Sequence, residues 1–216
     1  MGRVRAYVGL GANVGDPTGM LAAAVHALGA LPGARLAGVS RLYATEPVGV
    51  PGQPEFRNAV VALDVPAGPD PATGASALLI ALKGLERAFG RQPRERWGPR
   101  EVDLDLLIFG RHRVTIERPV AGRSSGPSKA FMPLVVPHVE ARHRLFVLAP
   151  LSDLAPGLVP PGWGETVASA AARQRRLEGV DAARPIASWD GDGWRDPTHV
   201  VARGQHSRKG WCPEKG

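Results

Sequence analysis

The stretch "RWGPREVDLDLLIFG", Arg96 to Gly110, puts Asp103 and Asp105 inside a run of Val, Leu, Ile and Phe that otherwise belongs in a core. A β-strand turns successive side chains to opposite faces, so residues two apart share one face. Asp103 and Asp105 therefore stand side by side. Two like charges so close disfavour each other's ionised form unless a cation holds them. Arg91, Arg94, Arg96 and Arg100 lie just upstream. A guanidinium can bind phosphate in bidentate fashion, and magnesium takes one or two carboxylates and completes its shell with water and phosphate oxygens. An arginine loop joined to an acidic pair on a strand thus points to phosphate and divalent metal held together.

Outward from this strand, the chain alternates helical and strand signals. "VRAYVGLGANVGDP" begins as a strand, Val4 to Leu10, and breaks at Gly11, Ala12 and Asn13. Asp16 followed by Pro17 is a helix start, since the acid caps free amides and proline suits the first turn. Met20, Leu21, Ala24, Val25, Leu28 and Leu31 then recur at helical spacing until Pro32. "ARLAGVSRLYAT" reads as one strand ending near Thr45, "EPVGVPGQPE" as a long loop, and "FRNAVVALDV" as a further strand. Asp70 and Pro71 start a second helix with a stripe of Leu78, Leu82, Leu85 and Phe89, capped by Gly90.

The order strand, helix, strand, strand, helix, strand is that of a ferredoxin-like split β-α-β sandwich. The expected class is α+β, an antiparallel sheet with helices on one face and substrate loops on the other. One domain is expected over residues 1–186. "RPVAGRSSGPSKAFM", residues 118–132, lacks periodicity and reads as a mobile loop insertion. Residues 187–216 read as a disordered or loosely docked tail, with Trp189, Trp194 and Trp211 unaccounted for.

A chain of 216 residues that is 44% hydrophobic can bury a substantial core. No run approaches the ~18 to 20 apolar residues of a membrane span, and the start lacks a secretory signal, so a cytoplasmic protein with no membrane partner is expected. Cys212 is the single cysteine, which excludes an intrachain disulfide and a cysteine metal cluster. The net charge of +7 suits nucleic acid or a polyphosphate pocket. The chain after residue 187 is close to balanced and the densest basic run adjoins the two acids, which favours the pocket over a nucleic-acid partner.

Other residues carry weaker signals. Trp97 sits in the arginine loop, where its ring could stack on a flat heterocycle or anchor the loop. Phe56 and Asn58 share a strand face and pair a stacking ring with an amide that reads a donor and acceptor edge, though a core Phe and a turn-capping Asn would look the same. His138 and His143 are five apart and do not share a helical face, which argues against a joint metal site. "GLGANVGD" matches neither glycine-rich phosphate pattern and reads as a turn that presents Asn13.

Taken together, "GLGANVGDP", "YATEPVGVPGQPEFRNAVVAL", "LERAFGRQPRERWGPREVDLDLLIFG" and "VPHVEARHRLFVLAPLSDLAP" resemble the 6-hydroxymethyl-7,8-dihydropterin pyrophosphokinase family of the folate pathway, from about Ala6 to Leu158. The resemblance implies transfer of the β,γ-pyrophosphoryl group of ATP to the pterin hydroxymethyl, with release of AMP; a monomer is expected. Asp103 and Asp105 match the acids that hold two magnesium ions. Arg91, Arg96 and Arg100 match residues that neutralise developing charge, so these five residues are the implied catalytic set. For the pterin the matching positions are Thr45, Val48, Phe56, Asn58, Trp97 and Phe146, with the ring between Phe56 and Phe146. For ATP they are Glu86, Arg96, Trp97, His138 and Arg144. Phe56 stands where some relatives have tyrosine, the arginine loop is slightly shorter than in the best-known form, and the insertion and tail have no counterpart in the pattern.

Three other readings compete. A nucleotidyltransferase pairs a glycine turn closely with its acids, whereas Gly11 and Asp103 are far apart in sequence. A ferredoxin-like RNA reader would expose aromatic residues on its inner strands, where this chain puts aspartates. An inactive relative that only binds would not need both the acids and the arginines.

Overall fold

The computed structural model describes residues 2–47, 52–90, 101–123 and 132–196. Its elements run β1 (Arg3–Ala12), α1 (Pro17–Gly29), β2 (Arg35–Val39), β3 (Leu42–Thr45), β4 (Phe56–Pro66), α2 (Pro71–Ala88), β5 (Asp103–Phe109), β6 (Val114–Ile116), β7 (Leu134–Val136), α3 (Leu145–Leu154), α4 (Val167–Glu178), β8 (Arg184–Trp189) and β9 (Trp194–Arg195). Both early helices start where their capping residues stand. Asp16 accepts from the Gly19 N–H at 3.0 Å, Asp70 accepts from the Thr73 N–H at 2.9 Å, and a proline occupies the first turn of each helix.

The architecture is mixed α+β on an antiparallel seven-stranded sheet of order β5-β1-β4-β3-β8-β9, with β2 also paired to β4. Strand alternation divides its residues between two cores. Ala6, Val8 and Leu10 of β1, with Val61 and Leu63 of β4, pack against Leu21, Val25 and Leu28 of α1 and Leu78 and Leu82 of α2. Tyr7 of β1, Val60 and Ala62 of β4, and Leu107 of β5 point the other way, against Leu148 and Leu151 of α3 and Val167 and Ala170 of α4.

That second core corrects the expectation of helices on one face only. An apolar set on the far side of each central strand needs cover, and α3 and α4 supply it over part of that face. Two clamps hold α3 in place. Asp153, near its end, takes hydrogen bonds from the Tyr43 hydroxyl at 3.0 Å and from Arg41 Nη2 at 2.6 Å. At its start, Glu178 of α4 accepts the Leu145 N–H at 3.0 Å, satisfying one of the free amides of a helix N-terminus.

Residues 35–45 form two strands where one was expected. The break is Ser40: its hydroxyl accepts the Val60 N–H at 2.9 Å and donates to the Arg41 carbonyl at 2.7 Å. The side chain replaces a ladder bond and lets the chain shift between β2 and β3.

A domain boundary at 186/187 would cut β8, and residues 187–196 are an ordered hairpin rather than a loose tail. The reason is tryptophan. Trp194 is buried in the main core and its Nε1 donates to the Ser40 carbonyl at 2.9 Å, while Trp189 packs edge-on against it with ring centroids 4.8 Å apart. Trp211 lies outside the described residues, as does the rest of the expected tail from 197. Of the insertion, residues 118–123 and 132 are described, and 118–123 dock on α2, where Arg87 Nη2 donates to the Ala121 carbonyl at 3.2 Å and Gly122 lies against Leu79. No helix of the described residues is long and apolar enough to cross a membrane.

Candidate active site

The register across the sheet assembles one row from four strands. Asp103 of β5 pairs with Gly11 of β1, Gly11 pairs with Asn58 of β4, and Asn58 pairs with Tyr43 of β3. Residues directly opposite in an antiparallel ladder share a face. Asp103 and Asn58 therefore stand on one face with bare glycine backbone between them, roughly 10 Å apart at two strand spacings. Asp105, paired with Gly9, is one step further along the same face. Phe56, paired with Thr45, is one step toward the open end.

The acids differ in exposure. Asp103 is 8% exposed, whereas the Asp105 side chain retains 33% of its surface. Two carboxylates on one strand face fit what magnesium asks of a protein when phosphates and water complete its shell. They do not make a self-sufficient cage: among the described residues no group of three or more His, Cys, Asp or Glu could hold a metal ion. Gly11 is part of the fit, because a methyl group there would stand 3.2 Å from Asn58 Oδ1 and would fill the floor between amide and acid.

Asn58 is buried and its Nδ2 donates to the Thr45 hydroxyl at 2.8 Å, so these two expected pterin contacts are joined. Its Oδ1 lies at the Gly11 side of the row. Phe56 is half-buried at the start of β4. The preceding Glu55 binds Arg57 at 3.0 Å and also pairs with Arg184 of β8; the Arg57 hydrogen bond, helped by Arg184, holds the Glu55 carboxyl below the usual range. That ties the mouth of the site to the C-terminal strand.

Phe146 and Arg144 lie at the start of α3, with the Arg144 guanidinium 5.7 Å from the Phe146 ring centroid. The neighbouring Leu145 is fully buried in a cluster with Tyr43, which places this end of α3 on the same sheet face as Asn58. Arg144 also bonds Glu140 at 3.2 Å. His138 follows β7. Its backbone N–H donates to the Leu107 carbonyl at 2.8 Å and its Nδ1 accepts the Glu140 N–H at 3.3 Å, so a neutral ring carries its proton on Nε2.

Glu86 is 1% exposed on α2, behind the acid strand, where its Oε1 accepts the Leu104 N–H at 2.7 Å. Val48, Arg91, Arg94, Arg96, Trp97 and Arg100 lie outside the described residues. The arginine segment is bounded by Gly90, just after α2, and Glu101, two residues before Asp103.

Two more residues belong to the site: Asn13, which the sequence places on a turn, and Lys83, which sequence reasoning did not single out. Asn13 is buried and its Nδ2 donates to Gln53 Oε1 at 3.2 Å and to the Pro54 carbonyl at 3.3 Å, tying the loop before Phe56 to the end of β1. Lys83 is buried beside Glu86. Its signal was available: Leu79, Lys83 and Glu86 continue a buried helical stripe in which charges replace leucines.

The model of the family described as 7,8-dihydro-6-hydroxymethylpterin-pyrophosphokinase (HPPK) matches residues 7–156. The chain is 41% identical over 169 residues to the 2-amino-4-hydroxy-6-hydroxymethyldihydropteridine pyrophosphokinase of Methylorubrum extorquens, covering 78% of this chain and 92% of that one. It is also 41% identical over 157 residues to the enzyme of that name from Pseudomonas aeruginosa, covering 73% and 84%. Among solved structures, a crystal structure of an HPPK-DHPS in complex with substrates superposes with a TM-score of 0.67 at 13% identity, over 90% of this chain and 49% of that chain. The chain thus spans about half of that bifunctional protein, and at this identity the likeness speaks for the fold alone. The sequence matches carry the assignment: the chain belongs to the 7,8-dihydro-6-hydroxymethylpterin-pyrophosphokinase family.

Proposed function

We propose that this chain transfers the pyrophosphoryl group of ATP to the hydroxymethyl group of 6-hydroxymethyl-7,8-dihydropterin, giving AMP and the pterin diphosphate for folate biosynthesis. The single observation that carries the reading is the row Asp103, Gly11, Asn58, which sets an acid and a base-reading amide on one sheet face across a glycine floor. The pterin edge would meet Asn58 and Thr45, with its ring against Phe56 and Phe146. Its hydroxymethyl would then lie toward Asp103.

Asp103 and Asp105 would hold two magnesium ions, which when bound neutralise the phosphate oxygens of ATP and bring them to the acceptor. The chain's own work is placement. The oxygen of the pterin hydroxyl forms a bond to the β-phosphorus and its proton passes to solvent, as the bond from that phosphorus to the α-phosphate oxygen breaks and AMP leaves with that oxygen. Arg91, Arg96 and Arg100 would neutralise charge on the transferred group, which the ends of the arginine segment beside α2 and β5 support, and Val48 and Trp97 would meet the pterin. His138 and Arg144 would meet ATP phosphates, while Glu86, expected at ATP from the family match but 1% exposed behind β5, would act through that strand rather than by contact.

In fold terms, the order β5-β1-β4-β3 with α1 and α2 against one face supports a ferredoxin-like split β-α-β unit, extended by the later elements. An RNA reader on this fold would use an open sheet face, whereas α3 and α4 occupy much of it here. The reading needs ATP and the pterin as partners, and neither nucleic acid nor a membrane.

The test is to incubate the protein with magnesium, ATP and the pterin and identify the nucleotide product. Pterin-dependent AMP that disappears in Asp103→Ala is expected. Formation of ADP, or no turnover by the unaltered protein, would overturn the assignment.

A further inference from the structure

Strand β5 is the outer strand of the seven-stranded sheet, and its ladder partner β1 lies on one side only. Asp103 and Asp105 pair with Gly11 and Gly9, and between them Leu104 turns its N–H and carbonyl away from β1. An outward-facing backbone pair at a buried edge must find partners. Here α2 provides both: Glu86 Oε1 accepts the Leu104 N–H at 2.7 Å and Lys83 Nζ donates to the Leu104 carbonyl at 2.8 Å. The two side chains are 2.5 Å from each other, 3% and 1% exposed, and Lys83 Nζ also reaches Asp105 Oδ1 at 3.7 Å.

Neutral amides could make the same two backbone bonds. Burying an ammonium and a carboxylate instead is costly, and their direct pairing offsets part of that cost. Its position on the residue between the two acids gives the charges a role that amides lack. We infer that Lys83 and Glu86 are positioning residues for Asp103 and Asp105: together they fix the strand from its outer edge, and their balanced charge sets the affinity of the two acids for a divalent cation. This rests on the proposed metal role of the acids.

The charge arithmetic is direct. Lys83→Gln removes one positive charge beside the acids, so the site gains net negative charge and binds a divalent cation more tightly. Glu86→Gln removes one negative charge and turns Lys83 toward Asp105 as its remaining anionic neighbour within 4 Å among the described residues, so binding weakens. The double substitution restores neutrality and keeps a donor for the Leu104 carbonyl and an acceptor for its N–H. Lys83→Arg keeps the charge.

The experiment is Mn2+ titration followed by electron paramagnetic resonance, with α,β-methylene-ATP present and a nucleotide-only blank, alongside thermal unfolding of each variant. Expected is a tightening in Lys83→Gln and a weakening in Glu86→Gln, each roughly threefold to tenfold. The double variant and Lys83→Arg return to within about twofold of the unaltered protein. A purely structural clamp would lower the unfolding temperature without moving Mn2+ affinity in opposite directions, and that result would overturn the inference. If a single variant does not fold, unequal affinity among the unaltered protein, the double variant and Lys83→Arg overturns it instead. Failure of the unaltered protein to bind Mn2+ would remove the metal reading and this one with it, whereas normal binding with no charge effect would remove this one alone.

Discussion

Gly11 lies directly opposite Asn58 in the β1–β4 register, and a methyl group on it would stand 3.2 Å from Asn58 Oδ1. That approach is tighter than most side chains tolerate, so the amide must give way. Gly11→Ala is expected to raise the KM for the pterin several-fold while leaving the KM for ATP within about twofold, because the strand itself can accept alanine. Steady-state kinetics with each substrate varied in turn checks it. An equal rise in both constants would mean that the floor is shared by the two ligands.

Asn58→Ala removes the 2.8 Å bond to the Thr45 hydroxyl in a buried setting. A loss of about 1–2 kcal/mol in urea unfolding is expected. Pterin binding, followed by fluorescence quenching, should weaken by more than that stability loss explains, while Asn58→Ala retains its folded circular dichroism.

Asp103→Asn and Asp105→Asn keep the shape of the acids and remove their charge. Turnover is expected to fall by roughly a thousandfold or more in each, with the larger loss at Asp103, which stands in the row with Asn58. Rate measurements over a range of magnesium concentrations check it. A full recovery at high magnesium would assign the acids to metal affinity alone.

Trp194→Ala removes a ring from the main core and its bond to the Ser40 carbonyl. The expected cost is about 3–5 kcal/mol by chemical unfolding. An unchanged midpoint would mean that the C-terminal hairpin unfolds separately from the sheet that carries the site.

Asp190 turns β8 into β9 by accepting the Gly193 and Asp192 N–H groups, both at 2.9 Å, and binding Arg195 at 3.0 Å. These bonds, the backbone ones first, pull its carboxyl down to about 2. A depressed carboxyl stabilises the fold fully above its ordinary value and loses that contribution as pH falls through the folded value. The stability difference between the protein and Asp190→Asn should therefore be constant above about pH 5 and shrink between pH 4 and 2. Acid titration of tryptophan fluorescence in both proteins measures it.

Local signals carried a large part of this protein. The caps at Asp16 and Asp70, the stripe of Leu78 and Leu82, and the alternation that puts Asp103 beside Asp105 depend on neighbours in the chain, and the structure has them where the sequence places them. The family blocks named the chemistry for the same reason, since each is a contiguous run. Less legible were α3, apolar nearly all round with Pro150 inside it, and α4, whose apolar face is mostly alanine. Neither shows a strong helical stripe, because each is defined by the second sheet face that it covers.

What the sequence determined by itself is therefore the set of elements and the pairing of two carboxylates on one strand face, since both follow from backbone geometry over a few residues. The tertiary structure alone decided which strands lie side by side. Register across β5, β1 and β4 joined Asp103 to Asn58 through Gly11, residues far apart in the chain. It also decided that Lys83 and Glu86 meet the edge of β5 and that Trp194 closes the core against Ser40. Such contacts depend on how faces bury one another, and no local period records which face will meet which.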